Sequence, residues 1–289
     1  MTTKLGILLA VCTGCFFAFA ATTATADPTA GPPICSPSTP TTAIAGSYGN
    51  LVITGSRYVA ANTTLTVSGD LVVAPGACLD AFTLGTVSVG RNVIVEQGAV
   101  LALGCTPGSL GPPFTQPPCN GQTTNDTVGG SIIARDALTM YLDGDTIHGN
   151  VISAGGGPGY TLDPYVNFPI KDNVIGGSVF VTGWSGAWFG LLRNTIGGSA
   201  IVALDRGLAI GDFGNYDSTE IGQNTVHGSL LCFGNSPAAN FGDSGAAPNV
   251  VYGLAFGECG FGVLKPDPDY PNHDGKGAPQ PMSVRPASG

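Results

Sequence analysis

The chain has 289 residues, of which only 10% are charged, and its formal net charge is −9 at pH 7. This acidic balance argues against nucleic acid or anionic lipid as a partner, because both are bound through clustered cations. Glycine occurs 45 times, so we expect a surface of Thr, Ser, Asn and Gly rather than of Lys and Glu.

The N-terminus has the three-part pattern of a secretory signal peptide. A lysine precedes an apolar run over residues 5–21, and small residues at 24–26 form a cleavage site. The mature chain is therefore expected to begin near Asp27, which predicts secretion or display at the cell surface. A lipid anchor on Cys12 or Cys15 is a weaker alternative, because neither has the preceding residues that lipid attachment normally needs. No later segment is apolar enough to span a bilayer.

The next part is a Pro/Thr/Ser-rich leader, and the segment after it predicts strands. Short aliphatic runs are separated by Gly, Pro, Asn and Asp, and no 3.6-residue period is long enough for a helix. The first of these runs cover residues 51–53, 65–67, 71–73, 87–89, 93–95 and 100–103.

A short phrase recurs through the middle of the chain. It consists of Asn, Asp or Gly, often a Thr, then Val or Ile, one free position, Gly, a small polar residue and an aliphatic run. Copies at irregular intervals of roughly 20 to 30 residues predict a solenoid of stacked coils. With strands about 4.8 Å apart, some eight to ten coils would form a rod about 40 to 50 Å long. The copies begin at Gly85, Asp126, Asp145, Asn173, Asn194 and Asn224.

Aligning the copies predicts two columns of residues that stack from coil to coil. The inward column is Val67, Val87, Val128, Ile147, Ile175, Ile196, Val226 and Val251. The second column marks a bend where a Cβ atom would be costly. It consists of Gly69, Gly90, Gly130, Gly149, Gly177, Gly198, Gly228 and Gly253.

Two polar columns precede the inward column. Asx side chains bond neighbouring backbone groups at turns and from coil to coil, which predicts a structural ladder. Its members are Asp126, Asp145, Asn173, Asn194, Asn224 and Asn249. Aligned threonines would suit an ice- or glycan-binding face, but there is one per coil, and valines interrupt the column. These threonines are Thr86, Thr127, Thr146, Thr195 and Thr225.

Charged residues cluster beside these columns. The alignment predicts that Asp143 neighbours Lys171 and that Asp172 neighbours Arg193 on adjacent coils. Polysaccharide lyases on parallel β-helices use an acidic groove, often with calcium, and an Arg or Lys base. Asp143, Asp145, Lys171, Asp172 and Arg193 are therefore the candidate catalytic residues, although a structural charge ladder is the favoured interpretation. No cofactor is expected unless the lyase hypothesis holds, in which case calcium is the candidate.

Two histidines and two tryptophans have side chains that could bind a metal ion or a sugar. His148 and His227 lie three coil steps apart, roughly 14 Å, which is too far to share a metal ion, and no metal site is predicted. Trp184 and Trp188 lie in a Gly-rich excursion. Their rings would suit the apolar side of a pyranose, so they are candidate binding residues, with packing inside the protein as the favoured alternative.

Six cysteines follow the predicted signal peptide. An even number in an exported chain indicates disulfides rather than metal ligands, and the sequence leaves their connectivity open. Proximity along the chain favours Cys105 with Cys119 and Cys232 with Cys259, which leaves Cys35 with Cys78.

The C-terminal residues are rich in proline and are predicted to be a disordered tail. Its aspartates lack the ligand order of a calcium loop. The predicted organisation is a signal peptide at 1–26, a flexible leader at 27–47, a parallel β-helix at 48–262 and the tail at 263–289.

Two segments resemble secreted actinobacterial β-helix proteins. Residues 224–237, followed by Gly257-Glu258-Cys259, look like their closing coil, in which Asn-x-Val-x-Gly-x-Leu-x-Cys and a later Asn-x-Pro are answered by a terminal Cys. Residues 67–78 resemble their opening coils. The resemblance covers roughly residues 48–259 and carries no catalytic residues. It implies an exported, all-β, right-handed parallel β-helix with a Cys232–Cys259 bridge.

The leading functional hypothesis is a secreted, non-enzymatic structural or glycan-binding β-helix of the cell envelope or matrix. Its expected partners are extracellular polysaccharide or cell-wall components, and the oligomeric state is left open. The alternative is a polysaccharide lyase or glycoside hydrolase that acts in a groove along the coils. The Asp-Asp pair and Gly-His-Gly triplet of pectin hydrolases are absent from the sequence, which counts against that branch of the alternative.

Overall fold

The computed structural model describes residues 35, 42–106, 122–158, 167–207, 219–240, 248–260 and 263–264. Within these residues the chain is a parallel β-helix, so the predicted fold class is confirmed. The predicted signal peptide and nearly all of the predicted tail lie outside the described residues. None of the helices in the described part of the chain is long and apolar enough to cross a membrane.

A typical coil contributes one strand to each of three sheets, which we call sheets A, B and C, and neighbouring strands in each sheet are parallel. Sheet A contains, in order, β1 (Thr42–Ala43), β4 (Ser56–Tyr58), β7 (Cys78–Asp80), β10 (Val100–Gly104), β13 (Thr139–Asp143), β16 (Asn167–Lys171), β20 (Trp188–Leu192) and β24 (Thr219–Gly222). Sheet B contains β2 (Gly46–Tyr48), β5 (Thr64–Val67), β8 (Thr86–Val89), β11 (Thr127–Val128), β14 (Thr146–Ile147), β17 (Val174–Ile175), β21 (Thr195–Ile196), β25 (Thr225–Val226), β27 (Asn249–Val251) and β29 (Val263–Leu264).

Sheet C contains β3 (Leu51–Ile53), β6 (Leu71–Val73), β9 (Val93–Val95), β12 (Ile132–Arg135), β15 (Val151–Ala154), β18 (Val179–Thr182), β22 (Ala200–Ala203), β26 (Leu230–Phe233) and β28 (Ala255–Gly257). A small parallel sheet joins β19 (Ser185–Gly186) and β23 (Arg206–Gly207), and a 3-10 turn covers Glu258–Gly260. The β-helix therefore begins earlier than the predicted residue 48, because β1 and most of β2 lie in the predicted leader. It also extends past residue 262, because β29 lies in the predicted tail.

The core lies between the three sheets. Side chains alternate along each strand, so that the first and third residues of most sheet C strands are buried and the second faces outward. Aliphatic inward residues fill most of the core. Towards the C-terminal half it is widened by Phe168, Trp184 and Phe189, and the Phe168 ring centroid lies 5.7 Å from that of Trp184 and 5.2 Å from that of Phe189.

The predicted inward column is confirmed except in one coil. Val67 pairs with Val89, and Val89 pairs with Val128, so Val89 occupies the place that was predicted for Val87. Val87 pairs instead with Leu65, one inward position earlier. The prediction failed here because the phrase beginning at Gly85 is displaced by two residues from the stacking register.

The glycine column is displaced in the same coil, by one residue. Gly130 donates its N–H to the Arg91 carbonyl, and Arg91 donates to the Gly69 carbonyl, so Arg91 rather than Gly90 belongs to this column. Elsewhere the column forms as predicted, and each glycine donates to the carbonyl of the glycine one coil before.

A ladder of small polar side chains follows the glycine column at the corner between sheets B and C. In each coil a side-chain oxygen accepts the backbone N–H of the equivalent residue in the next coil, at 2.8 to 3.1 Å. These bonds pair N–H groups at the corner between the two sheets. The acceptors are Asn50, Asp70, Asn92, Ser131, Asn150, Ser178, Ser199 and Ser229.

Two predicted disulfides are confirmed. Cys35 is bonded to Cys78 with Cα atoms 5.8 Å apart, and Cys232 is bonded to Cys259 with Cα atoms 5.3 Å apart. Cys105 is also disulfide-bonded, but its predicted partner Cys119 lies outside the described residues. The first bridge attaches Cys35 to β7, the third strand of sheet A, and the second joins β26 to the 3-10 turn after β28.

The glycine column gives a direct test of the stacking. A Cβ on Gly177 would lie 2.8 Å from the Gly149 carbonyl oxygen and closer still to Asn150 Oδ1. We expect Gly177→Ala to lower the free energy of unfolding by roughly 1 to 3 kcal/mol, measured by chemical denaturation, because overpacking forces neighbouring coils apart. Gly49→Ala is the matched control, since its Cβ would meet no atom within 4 Å. Equal stability of the two variants would contradict this stacking geometry.

Candidate functional site

An asparagine ladder runs inside the β-helix at the corner between sheets A and B. The backbone N–H groups of Asn173, Asn194 and Asn224 each donate to the side-chain Oδ1 of the asparagine one coil further on, at 2.9 to 3.0 Å. The Nδ2 of each asparagine donates to a sheet A carbonyl of the preceding coil; for Asn173 this is Leu142 O, at 3.0 Å. The predicted Asx column is thus a structural ladder, and it is buried.

Two aspartates occupy the N-terminal end of the same column. Asp126 is fully buried, and its two oxygens accept the N–H groups of Val87 and Gly104 at 2.7 and 2.9 Å. Asp145 is 1% exposed, and among the described residues neither of its carboxylate oxygens makes a coil-to-coil hydrogen bond like those of the asparagines. Asp145 therefore lies in the interior, at a position where the following coils have an amide.

Burial sets the protonation of these two carboxyls. It raises the pKa of Asp145 well above the usual value, and the negative charges of Asp126 and Asp143 raise it further. Burial also raises the pKa of Asp126 to about 7, although the two backbone hydrogen bonds act in the opposite direction. One coil further on, the Leu142 carbonyl accepts the Nδ2 of Asn173. Leu103 pairs with Leu142, so the Leu103 carbonyl is the equivalent acceptor for the side chain of Asp145. Only a protonated Asp145 offers a donor there.

A shorter ladder follows sheet C in the last coils. Trp184 donates its backbone N–H to Asp205 Oδ1 at 2.8 Å, and the N–H of Asp205 donates to Asn235 Oδ1 at 3.0 Å. The N–H of Asn235 donates in turn to Glu258 Oε1 at 3.0 Å. Burial raises the pKa of Asp205 to about 7. Buried carboxyls in this protein therefore serve coil-to-coil bonding at more than one corner.

The first predicted charged pair lies on the outer side of sheet A. Asp143 and Lys171 are paired residues of neighbouring strands, as predicted. Asp143 is 2% exposed and accepts the Thr106 hydroxyl at 3.0 Å. The Lys171 ammonium lies 4.8 Å from the ring centroid of Trp188, and burial lowers the pKa of Lys171. The Asp143–Lys171 pair is therefore more buried than the other predicted charged pair.

The second predicted pair is a bidentate ion pair at the corner between sheets A and B. Arg193 Nε and one terminal guanidinium nitrogen each donate to a carboxylate oxygen of Asp172, both at 2.7 Å. The hydrogen bond to Asp172 raises the pKa of Arg193. The backbone φ angles are 57° and 56°, so the two residues form equivalent corners of adjacent coils. As a partly exposed pair they contribute about 0 to 1 kcal/mol of stability.

Four of the five predicted catalytic residues lie close together. Asp143, Asp172 and Arg193 all act electrostatically on Lys171. Asp145 is separate, because its side chain is buried in the ladder at the corner between sheets A and B. Glu220 was not predicted as a site residue; it is 2% exposed and accepts the indole N–H of Trp188 at 3.1 Å. A single carboxylate inside the otherwise uncharged strand β24 was the signal that could have found it.

The tryptophans differ from the predicted sugar platform. Trp184 is 1% exposed, packs against Phe168, and donates its indole N–H to the Leu138 carbonyl at 3.3 Å. It is a core residue and presents no face to a sugar, so the candidate role fails for a steric reason. Trp188 is half-buried between Lys171 and Glu220.

The histidines occupy the column that was predicted for them. Backbone hydrogen bonds place Gly176 and Gly197 between His148 and His227 in successive coils. His227 stacks on Tyr252 with ring centroids 4.8 Å apart. Across the described ranges, no group of three or more His, Cys, Asp or Glu side chains is placed to hold a metal ion.

The outer face of sheet C carries a feature that the sequence analysis missed. The second residue of every strand is hydrophobic, and these residues pair with one another from β3 to β28. Val52 and Phe256 at the two ends are 58% and 67% exposed, while the others are half-buried by their neighbours. The column is Val52, Val72, Ile94, Ile133, Ile152, Phe180, Ile201, Leu231 and Phe256.

The outer face of sheet B carries the predicted hydroxyl column in a corrected register. Thr86 pairs with Thr64 and lies outside the column, and Ser88 takes its place. Val174 and Val250 interrupt it as predicted. The column is Thr66, Ser88, Thr127, Thr146, Val174, Thr195, Thr225 and Val250.

No protein-family model matches this chain, and neither the curated proteins nor the solved structures give a match.

Asp145→Asn tests the assignment of Asp145 to the ladder. The folded protein holds the pKa of Asp145 above its unfolded value, so the stability from this group is complete below about pH 4 and is lost as the pH rises through the folded pKa. The amide removes this loss and supplies the donor, so we expect the variant to be more stable than the wild type by about 1 to 3 kcal/mol at pH 8. The gain should shrink towards pH 4, as measured by denaturant unfolding.

Asn194→Asp is the converse control, because Asn194 has the same place two coils away and donates to the Ile170 carbonyl. It should be destabilised more at pH 8 than at pH 4. An Asp145→Asn variant less stable than the wild type at pH 8 would contradict the assignment.

Proposed function

We propose that this chain is an exported, non-enzymatic β-helix of the cell envelope or matrix that binds polysaccharide on its outer surface. The observation that carries the proposal is the contrast between its outer columns and its charged groups. The central columns of sheets B and C are made of hydroxyl and aliphatic or aromatic residues, whereas the charged residues considered for catalysis are bonded within the protein.

Most of those charged side chains are hydrogen-bonded within the protein or buried, which supports a non-enzymatic role. Arg193 is held by both oxygens of Asp172, and Asp143 is buried and bonded to Thr106. Asp145 faces the interior. A general base or acid must reach a substrate proton within hydrogen-bond distance, and only Lys171 of these groups combines partial exposure with a shifted pKa that favours such a role.

The proposed location outside the cytoplasm has two supports. The first is the signal-peptide pattern that precedes Asp27. The second is the pair of disulfides Cys35–Cys78 and Cys232–Cys259, since disulfides persist mainly in oxidising compartments. The resemblance to secreted actinobacterial β-helix proteins agrees with this location.

A lyase that uses Lys171 as its base is the second candidate. Burial lowers the pKa of Lys171, and the carboxylates of Asp143 and Glu220 lie close enough to oppose that shift. This hypothesis would require the outer side of sheet A near Trp188 to admit a sugar chain, with calcium as the expected cofactor.

A combined binding and cleavage assay separates the two candidates. The purified protein is incubated, with and without calcium, with insoluble cellulose, insoluble chitin, polygalacturonate and alginate. Binding is measured by co-sedimentation or affinity electrophoresis, and cleavage by reducing ends and by ultraviolet absorbance of unsaturated products. We expect binding to at least one neutral polysaccharide and no product from any.

Cleavage that is lost in Lys171→Ala but retained in Arg91→Ala would overturn the non-enzymatic proposal in favour of the lyase. Arg91 is the matched control because it is an exposed cation away from the Asp143–Lys171 pair, with its Nε 3.9 Å from an Asp70 oxygen. Neither binding nor cleavage would overturn polysaccharide binding and leave a purely structural rod.

A further inference from the structure

The outer face of sheet C becomes aromatic in its last strands. Phe180, Ile201, Leu231 and Phe256 follow one another in the outward column of β18, β22, β26 and β28. Phe233 lies two residues beyond Leu231 on β26, also facing outward, and is 47% exposed. We call these five residues the aromatic strip.

Short side chains lie on both sides of the aromatic strip over most of its length. On one side, the hydroxyls of Ser178, Ser199 and Ser229 each accept the N–H of the next coil at 3.0 to 3.1 Å, so they are held along the backbone. On the other side, Thr182 pairs with Ala203, and Ala203 pairs with Phe233. The strip therefore stands on a regular sheet, with small residues beside it on β18 and β22 and the exposed Leu254 beside its last strand.

The charge along this border changes between the two halves of the rod. In the earlier coils the border column contains Glu96 and Arg135, whereas the positions that continue it are Ala154, Thr182, Ala203 and Phe233. The strip itself carries no charged residue. An acidic or basic polymer would gain no ion pair from these positions, so the chemistry of the strip fits a neutral ligand.

The dimensions of the face favour a linear polymer over a second copy of the chain. With strands about 4.8 Å apart, the whole outward column is about 38 Å long, and a face about 10 Å wide would bury roughly 400 Å² per partner. A stable protein interface buries about 800 Å² per partner, so this face is too narrow for one. A single extended chain laid along the rod covers it fully.

We propose that the aromatic strip binds a neutral polysaccharide chain along the axis of the β-helix. Aromatic rings present an apolar face that suits the apolar side of a pyranose. Phe180 and Phe256 are three strand steps apart, about 14 Å, so successive rings contact different sugars of one chain. This inference rests on the proposed polysaccharide binding and assigns it to one face, away from the Asp143–Lys171 pair on sheet A.

The test compares the wild type, a triple variant and a control variant in co-sedimentation with cellulose and with chitin. Phe180→Leu, Phe233→Leu and Phe256→Leu are combined, which removes the rings but keeps an apolar surface and so protects the fold. We expect this triple variant to bind the polysaccharide that the wild type binds at least about tenfold more weakly, because a few buried aromatic anchors dominate such surfaces. Tyr252→Leu, which removes an exposed ring outside the sheet C column, should bind within about twofold of the wild type. Circular dichroism and the unfolding midpoint confirm that each variant is folded.

The outcomes separate this inference from the proposal beneath it. Binding by the wild type that is unchanged in the triple variant overturns the assignment to the aromatic strip but leaves polysaccharide binding intact. Absence of binding by the wild type to either polymer overturns both. Sedimentation equilibrium tests whether the strip binds a second copy of the chain. A wild-type dimer that is lost in the triple variant would assign the strip to that contact and overturn the inference.

Discussion

The fold depends on side-chain oxygens that accept a backbone N–H from the adjacent coil. A stacked coil leaves polar groups at each corner, where the chain turns from one sheet to the next, and buried backbone groups without partners are costly. At the corner between sheets B and C the acceptors are Asn, Asp and Ser side chains, and at the corner between sheets A and B they are buried asparagines. These ladders fix the stacking register, and the register determines every outer column.

The ladders also explain why charged residues are poor evidence for catalysis in this protein. Asp172 and Arg193 occupy equivalent corners of adjacent coils and bond to each other. Asp205 accepts a backbone N–H in the manner of an asparagine. Asp145 differs from the asparagines of its ladder, because each of those uses a side-chain N–H donor at this position and an ionised carboxylate has none. Its raised pKa follows from burial in a ladder and needs no catalytic explanation.

The sequence predicts the columns well because stacking repeats them. The parallel β-helix, the inward Val and Ile residues, the asparagine ladder and the Asp172–Arg193 pair all follow from aligning the phrase. Val87 was assigned to the wrong place in the inward column, because the phrase beginning at Gly85 matches the other copies although its coil is displaced by two residues. Trp184 was a candidate ligand-binding residue because local sequence does not reveal that a Gly-rich excursion returns its ring to the core.

The aromatic strip was missed for a different reason. Strands of sheet C are apolar on both faces, and an uninterrupted apolar run is typical of a strand that is buried on both sides. Only the paired register shows that Phe180 and Phe256 share an outer face with Leu231. Glu220 escaped notice because its contact with Trp188 joins residues 32 positions apart.

These relations lead to one view of the molecule, in which polar chemistry holds the coils together and the uncharged outer faces are left for contact. The most direct test is an NMR titration of the purified protein with a soluble neutral oligosaccharide, such as a cello- or chito-oligosaccharide. The account predicts chemical-shift changes concentrated in β18, β22, β26 and β28, around Phe180, Leu231 and Phe256. Changes confined to the surroundings of Asp143 and Lys171 would contradict it and place the ligand at the charged pair on sheet A.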